Sequence, residues 1–151
     1  MNYVTNLIQT NKLKPADVIV LKKTLFGMLD HYAIFLGYDE FGHPFFVANY
    51  TKGINRISYV ELKSFLQIME PQRIVRFNGT NSQRNAAVQR AISRLGERNY
   101  NYFENNCEHY ANYVQHGVHY SSQSDAFKDS IKTVVPLALG VAFLAAIFGK
   151  E

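Results

Sequence analysis

The chain has 151 residues, 47% of them apolar and 19% charged, with one cysteine and a net charge of +4. That is enough chain for a single domain with its own core, which excludes a disordered or fibrous protein. One cysteine excludes an internal disulfide, and the mild basic balance suits an anionic membrane surface and a nucleic acid equally. The absence of a run of five like charges and of aromatics alternating with Lys/Arg argues against a nucleic-acid groove.

In chain order, residues 1–14 read as a polar lead-in or short helix, and Met1–Asn6 lacks the basic start and apolar stretch of a secretory signal. The β-branched run Val18–Leu21 predicts a first strand. Two further β-rich runs, His31–Tyr38 and Pro44–Tyr50, flank Asp39-Glu40-Phe41-Gly42 and predict a hairpin. A short strand over Asn55–Tyr59, a helix over Val60–Met69 and a strand over Arg73–Phe77 follow. Asn81 or Ser82 is placed to cap a helix with the apolar stripe Val88, Ala91, Ile92 and Leu95. Its other face carries Arg84, Arg90 and Arg94, which reads as a solvated surface. Another helix is expected from Cys107 to His116, ended by Gly117.

The tail differs in kind. Val134–Phe148 contains no charged residue. At ~1.5 Å per residue it spans about 22 Å, short of a ~30 Å hydrocarbon core, and extension to Ile131 brings it near a thin bilayer. A tail anchor or interfacial insertion is expected, against a buried core helix.

Cys107 follows Asn106 in Asn105-Asn106-Cys107-Glu108-His109. With Asn106 as N-cap, the sulfur stands in the first turn, where free N–H groups and the helix dipole favour a thiolate. Cys107, Tyr110, Ala111 and Val114 share one helix face, so an inert buried thiol is the competing reading. A hairpin centred on Glu40 pairs positions summing to 80, which sets His31 opposite Asn49 on one sheet face. Asn49 then accepts the imidazole N–H and leaves His31 to take the thiol proton. His43 is the rival for this third position, but under that register it lies some 20 Å along the strand from His31. His116 and His119, split by Gly117, do not make a zinc pattern, and no metal or other cofactor is expected.

These residues together resemble the lecithin:retinol acyltransferase family, most of all its small phospholipase A/acyltransferase branch. Lys14-Pro15-Ala16-Asp17-Val18-Ile19 is similar to the family's opening strand, with Ala16 where glycine is usual. His31-Tyr32-Ala33-Ile34-Phe35-Leu36-Gly37 resembles its histidine box, with Tyr32 for the usual tryptophan. Asn106-Cys107-Glu108-His109-Tyr110 resembles its nucleophile box, and the apolar tail resembles its C-terminal membrane helix. One departure stands out: Phe46-Val47-Ala48-Asn49 occupies the strand that usually carries a second histidine.

The resemblance implies an α+β, circularly permuted papain-like fold, an antiparallel sheet packed against helices with a C-terminal hydrophobic helix. It implies a lead-in over 1–14, a catalytic domain over 15–122 and a membrane-anchoring segment over 124–151. The implied activity is acyl transfer from a glycerophospholipid through a Cys107 thioester to water, an amine or a lyso-lipid. His31 is then the base, Asn49 its partner, and Asn106, Glu108 and His109 the rest of the nucleophile box, with the Cys107 N–H facing the oxyanion. His109 is expected to serve the helix start rather than catalysis. A monomer on the cytoplasmic face of a membrane is expected, with no nucleic-acid partner. The alternatives are a cysteine peptidase or amidase, and a non-catalytic interaction module like the picornaviral proteins with similar boxes.

Overall fold

The sheet is assembled from short β-branched and aromatic runs. These are β1 (Val18–Leu21), β2 (His31–Tyr38), β3 (Pro44–Tyr50), β4 (Gly53–Ile57) and β5 (Pro71–Val75). The helices are α1 (Tyr3–Thr10), α2 (Tyr59–Ile68), α3 (Asn81–Ser93) and α4 (Cys107–His116). This computed structural model describes residues 3–22, 30–50, 52–68, 71–101, 104–122, 125 and 129. The chain to Ser121 forms one unit, and the remainder, in which only Ser122, Asp125 and Asp129 are described, forms a second. The apolar tail over 131–151 lies outside the described residues, among which no helix is long and apolar enough to cross a membrane.

All neighbouring strands are antiparallel, in the order β4-β3-β2-β1-β5. Both sheet faces are covered, so strands such as β1 are apolar on every residue. On one face Val18, Val20, Tyr32, Ile34, Leu36 and Val47 pack with Ala87 and Ala91 of α3 and with Cys107, Tyr110, Ala111 and Val114 of α4. On the other, Ile19, Leu21, Ala33, Phe35, Phe46 and Ala48 pack with Val4 and Ile8 of α1 and Leu62 and Leu66 of α2. The fold is the expected α+β class, with the histidine strand preceding the cysteine helix.

The hairpin register differs from the expected sum of 80. Tyr38 pairs with Pro44 and Gly37 with Phe45, but Phe35 pairs with Phe46 and Ile34 with Val47. One extra residue on β2, Leu36, makes a bulge, next to Gly37 at φ +109°, a backbone region that suits glycine. Side chains alternate with period two, so this single residue exchanges the faces of everything beyond it. His31 therefore does not share a face with Asn49. Tyr50, rather than Asn49, shares the His31 face, and both rings meet Phe65 of α2.

Helix α3 also departs from expectation. Its N-cap is Thr80, whose hydroxyl accepts from the Gln83 N–H while the Gln83 side chain returns to Thr80. Ala87 and Ala91 are the buried residues, whereas Ile92 and Leu95 are 40% and 36% exposed. The three arginines are not a solvated face. Arg84 donates to the Asp17 carboxylate at 3.2 Å and to the Phe77 carbonyl at 3.1 Å. Arg90 donates to the Val114 carbonyl at 2.7 Å, and Arg94 pairs with Glu97. Guanidinium forks thus satisfy carbonyls and carboxylates that the helix packing would otherwise strand.

Asp17 holds the entrance to the sheet. Its buried carboxylate accepts from the Lys14 and Phe77 N–H groups and from Arg76 and Arg84, three of these at 3.0 Å. Burial pushes its pKa up, but these donors outweigh burial and hold it below the usual value. The preceding residue, Ala16, stands at φ +70°, a left-handed backbone where a glycine would be at ease.

Candidate active site

Helix α4 is fixed at both ends by its own sequence. Asn106 is extended and its side-chain oxygen accepts from the Glu108 and His109 N–H groups at 2.9 and 3.0 Å. His109 Nδ1 accepts in return from the Asn106 N–H at 3.4 Å, completing a capping box. Gly117 closes the helix at φ +74°. Inward, the Tyr110 hydroxyl donates to the Ala91 carbonyl at 2.8 Å and the Gln115 amide to the Ala16 carbonyl at 2.9 Å. Glu108 is buried and accepts a hydrogen bond from the Ser121 hydroxyl.

The start of α4 plugs the end of the hairpin. The β2–β3 ladder ends at Ile34 and Val47, while β3 continues beside β4 to Tyr50. Asn49, fully buried, sends its amide N–H groups to the Asn105 carbonyl at 2.9 Å, the Asn105 side chain at 3.3 Å and the Asn106 carbonyl at 3.4 Å. Asn105 in turn donates to the Asn99 carbonyl at 2.8 Å. Asn49 thus braces the cysteine helix. Its Oδ1 has no hydrogen-bond partner among the described residues.

The thiol lies against β2. Phe35 exchanges hydrogen bonds with Ala16 and Asp17, so the odd-numbered residues of β2 point their backbone groups toward β1. The even-numbered ones point toward β3, and there Cys107 Sγ donates to the Asp30 carbonyl at 3.2 Å while the Tyr32 N–H points at the sulfur. The two backbone groups flank His31. The sulfur therefore occupies the place across from His31 that a β3 residue would hold had the ladder continued.

The electrostatics differ from the helix-start expectation. Burial pushes the Cys107 pKa up to about 11, and the N–H groups of Tyr32, Cys107 and Glu108 offset it only in part. Desolvation of a thiolate at 4% exposure outweighs the helix terminus, and the resting group is a thiol.

The His31 ring leaves on the opposite sheet face from α4. It stacks on Phe65 of α2 with centroids 6.2 Å apart and planes within 7°. Tyr50 meets the same Phe65 ring at 6.2 Å, edge to face, and its hydroxyl is buried without a hydrogen-bond partner among the described residues. His43 is 69% exposed beside Asp39 at the far end of the hairpin. The structure thus brings together Cys107, the backbone around His31, Asn49, Asn106, Glu108 and His109, and leaves His43 apart. Sequence reasoning missed Tyr50, Phe65 and Ser121. A bulge signal at Leu36-Gly37 would have revealed the first; no motif marks the other two. Among the described residues no cluster of His, Cys, Asp and Glu is arranged to hold a metal ion.

An antiparallel sheet whose hairpin is wedged open by an Asn-capped, cysteine-bearing helix defines an α+β protein with a strand–helix thiol site. The lecithin retinol acyltransferase family model matches residues 11–120, and the chain belongs to that family. It is similar to lecithin retinol acyltransferase of Bos taurus, with 38% identity over 66 residues, 40% of this chain and 29% of the bovine protein. The chain therefore matches less than a third of that relative's length.

Proposed function

We propose that this chain is a thiol acyltransferase and phospholipase A acting on glycerophospholipids. The observation that carries this reading is the seat of the Cys107 sulfur, across the strand edge from His31 at a braced helix start. A thiol whose pKa is pushed up to about 11 needs a base at neutral pH, and the role falls to His31, the residue between the two backbone groups that the sulfur meets. His31 takes the proton as Sγ attacks the ester carbonyl carbon. The Cys107 N–H receives the oxyanion. Collapse expels the lysophospholipid oxygen, which takes from His31 the proton that Cys107 gave up, and leaves an acyl thioester on Cys107. Water, an amine or a lyso-lipid hydroxyl then attacks the thioester, giving its proton to His31 and releasing the thiol. Family membership supports the reaction class.

The uncharged stretch Val134–Phe148 is assigned to the membrane, which presents the substrate. Removal of residues 131–151 shifts the protein from vesicle-bound to unbound in a flotation assay, and unchanged binding overturns this assignment.

Labelled phosphatidylcholine vesicles test the activity. Wild-type protein releases fatty acid or transfers it to an added amine, and Cys107→Ala and His31→Gln do neither. Release by Cys107→Ala contradicts the mechanism. The near-complete burial of the thiol favours one second reading, a non-catalytic module that binds partners through its surface. A wild-type protein inert on these vesicles supports that reading instead.

A further inference from the structure

The β3–β4 turn lies at the end of the sheet where β2 begins with His31. There Tyr50, Lys52, Asn55, Arg56, Glu61 and Arg98 line an open cavity of about 470 Å³. The acids in and around it are engaged. Asp39 is held by Arg56, and Glu97 by Arg94 at 2.6 Å. The Glu61 carboxylate accepts the Ser58 N–H at 2.9 Å at the start of α2, and acts on Lys52 only through space. Arg56 is engaged as well, and lies over the Phe45 ring. The other two cations are different. Among the described residues, neither the Lys52 ammonium nor the Arg98 guanidinium makes a salt bridge or a hydrogen bond.

The backbone, not their side chains, brings these two cations together. The Lys52 carbonyl accepts from the Asn55 amide at 3.2 Å, which fixes the turn. Gly53 follows at φ +95°, and a Cβ there would collide with the Glu97 carbonyl, so glycine lets the chain around Glu97 close on β4. The Ile54 N–H donates to the Glu97 carbonyl and the Gly96 N–H to the Ile54 carbonyl, both at 2.8 Å. Arg98 is thereby carried to the cavity. The same two segments brace the cysteine helix: Asn99, next to Arg98, accepts from Asn105 at 2.8 Å, and Asn49, next to Tyr50, donates to Asn105 and Asn106. Tyr50 itself meets Phe65, the ring on which His31 stacks.

We propose that this cavity binds the phosphate of a glycerophospholipid, with Lys52 and Arg98 as its two cationic clamps. The proposal rests on the phospholipid reading above and names the part of the lipid that is held apart from the acyl ester. A phosphodiester presents a delocalised negative charge on two unesterified oxygens. The Arg98 fork can donate to both, while the Lys52 ammonium adds a compact charge from the turn. The cavity is open, so the remainder of the headgroup stays in water. An acylglycerol has no anion to offer here, and the site therefore selects phospholipids over neutral esters of the same acyl chains. Free inorganic phosphate carries the same oxygens and serves as the comparison.

Lys52 and Arg98 are exposed, so Lys52→Gln combined with Arg98→Gln removes both charges and keeps the fold. Full-length protein labelled with nitrogen-15, in detergent micelles, is titrated with glycerophosphocholine and, separately, with inorganic phosphate. Glycerophosphocholine moves the backbone amide signals of Lys52, Gly53 and Arg98 in the wild type and leaves the double variant unmoved. In the same micelles the wild type favours phosphatidylcholine over a diacylglycerol of equal chains. That preference in kcat/KM falls about tenfold in the double variant, chiefly through KM. Signals that glycerophosphocholine does not move, or a preference equal in the two proteins, overturn the proposal. Movement with inorganic phosphate alone assigns a free-anion site and overturns the lipid source. A wild type inert on both lipids removes the phospholipase reading itself, while the titration still decides whether the cavity takes a phosphodiester.

Discussion

Cys107 Sγ donates its proton to the Asp30 carbonyl at 3.2 Å, at the point where β2 and β3 part. The sulfur closes an otherwise open strand edge, and the same contact fixes it as a buried thiol. Under the proposed function, chemistry at this sulfur begins with a proton transfer rather than from a stored thiolate.

This gives the first prediction. The folded pKa is raised from 9.0 to about 11, so the stabilisation is complete below pH 9 and is lost as pH rises through 11. Two units correspond to about 3 kcal/mol. Urea denaturation between pH 8 and 11 shows this loss in wild-type protein and not in Cys107→Ala. Iodoacetamide labelling of Cys107 shows an inflection above pH 10; an inflection below pH 7 would contradict the burial argument.

Asn49 serves the helix start. Asn49→Ala strips three acceptors of α4 and its lead-in of a donor, which costs about 2 kcal/mol of stability and lowers activity through a loosened Cys107. His43→Ala, exposed and remote, changes neither beyond about 0.5 kcal/mol. Denaturation and vesicle assays of both variants check this. Full stability in Asn49→Ala would remove the brace.

Asp17 ties the start of β1 to the turn at Lys14, to the segment that follows β5 and to α3. Asp17→Asn leaves Arg84 and Arg76 facing a neutral amide and costs about 3 kcal/mol at pH 7. The Asp17 pKa is held down in the folded state, so its stabilisation is present above about pH 4 and lost as pH falls through the folded value. The wild-type advantage over the variant narrows in acid-denaturation curves below pH 4. A constant difference would refute the assignment.

Ala16 carries a left-handed backbone and a fully buried methyl. Ala16→Gly relieves about 1 kcal/mol of strain but gives up about 0.8 kcal/mol of methyl burial and gains freedom in the unfolded chain. The melting temperature stays within a few degrees. Ala16→Val, branched at a position with no free space, loses more than about 2 kcal/mol by the same thermal scan.

Much of this was legible beforehand for physical reasons. Val18–Leu21 is a β-branched run between turn residues, and Asn106 to Gly117 carries a cap at each end, so β1 and α4 fall where the sequence puts them. The face of His31 was not legible. One bulge residue, Leu36, reverses the alternation, and nothing in Phe35-Leu36-Gly37 beyond the glycine announces it. The Cys107 ionisation was misread because a helix start is visible in sequence and the depth of burial is not. Arg84 and Arg90 likewise look like surface until their long-range acceptors, Asp17 and Val114, are seen.

Acylation of the Cys107 sulfur is the step on which the proposed function stands. Intact-mass analysis after brief exposure to vesicles of a phosphatidylcholine with one defined acyl chain decides it. The expected result is an added mass of one acyl group that hydroxylamine removes and Cys107→Ala lacks. Fatty acid release with no acyl adduct on the wild-type chain, or an adduct that persists in Cys107→Ala, would contradict it.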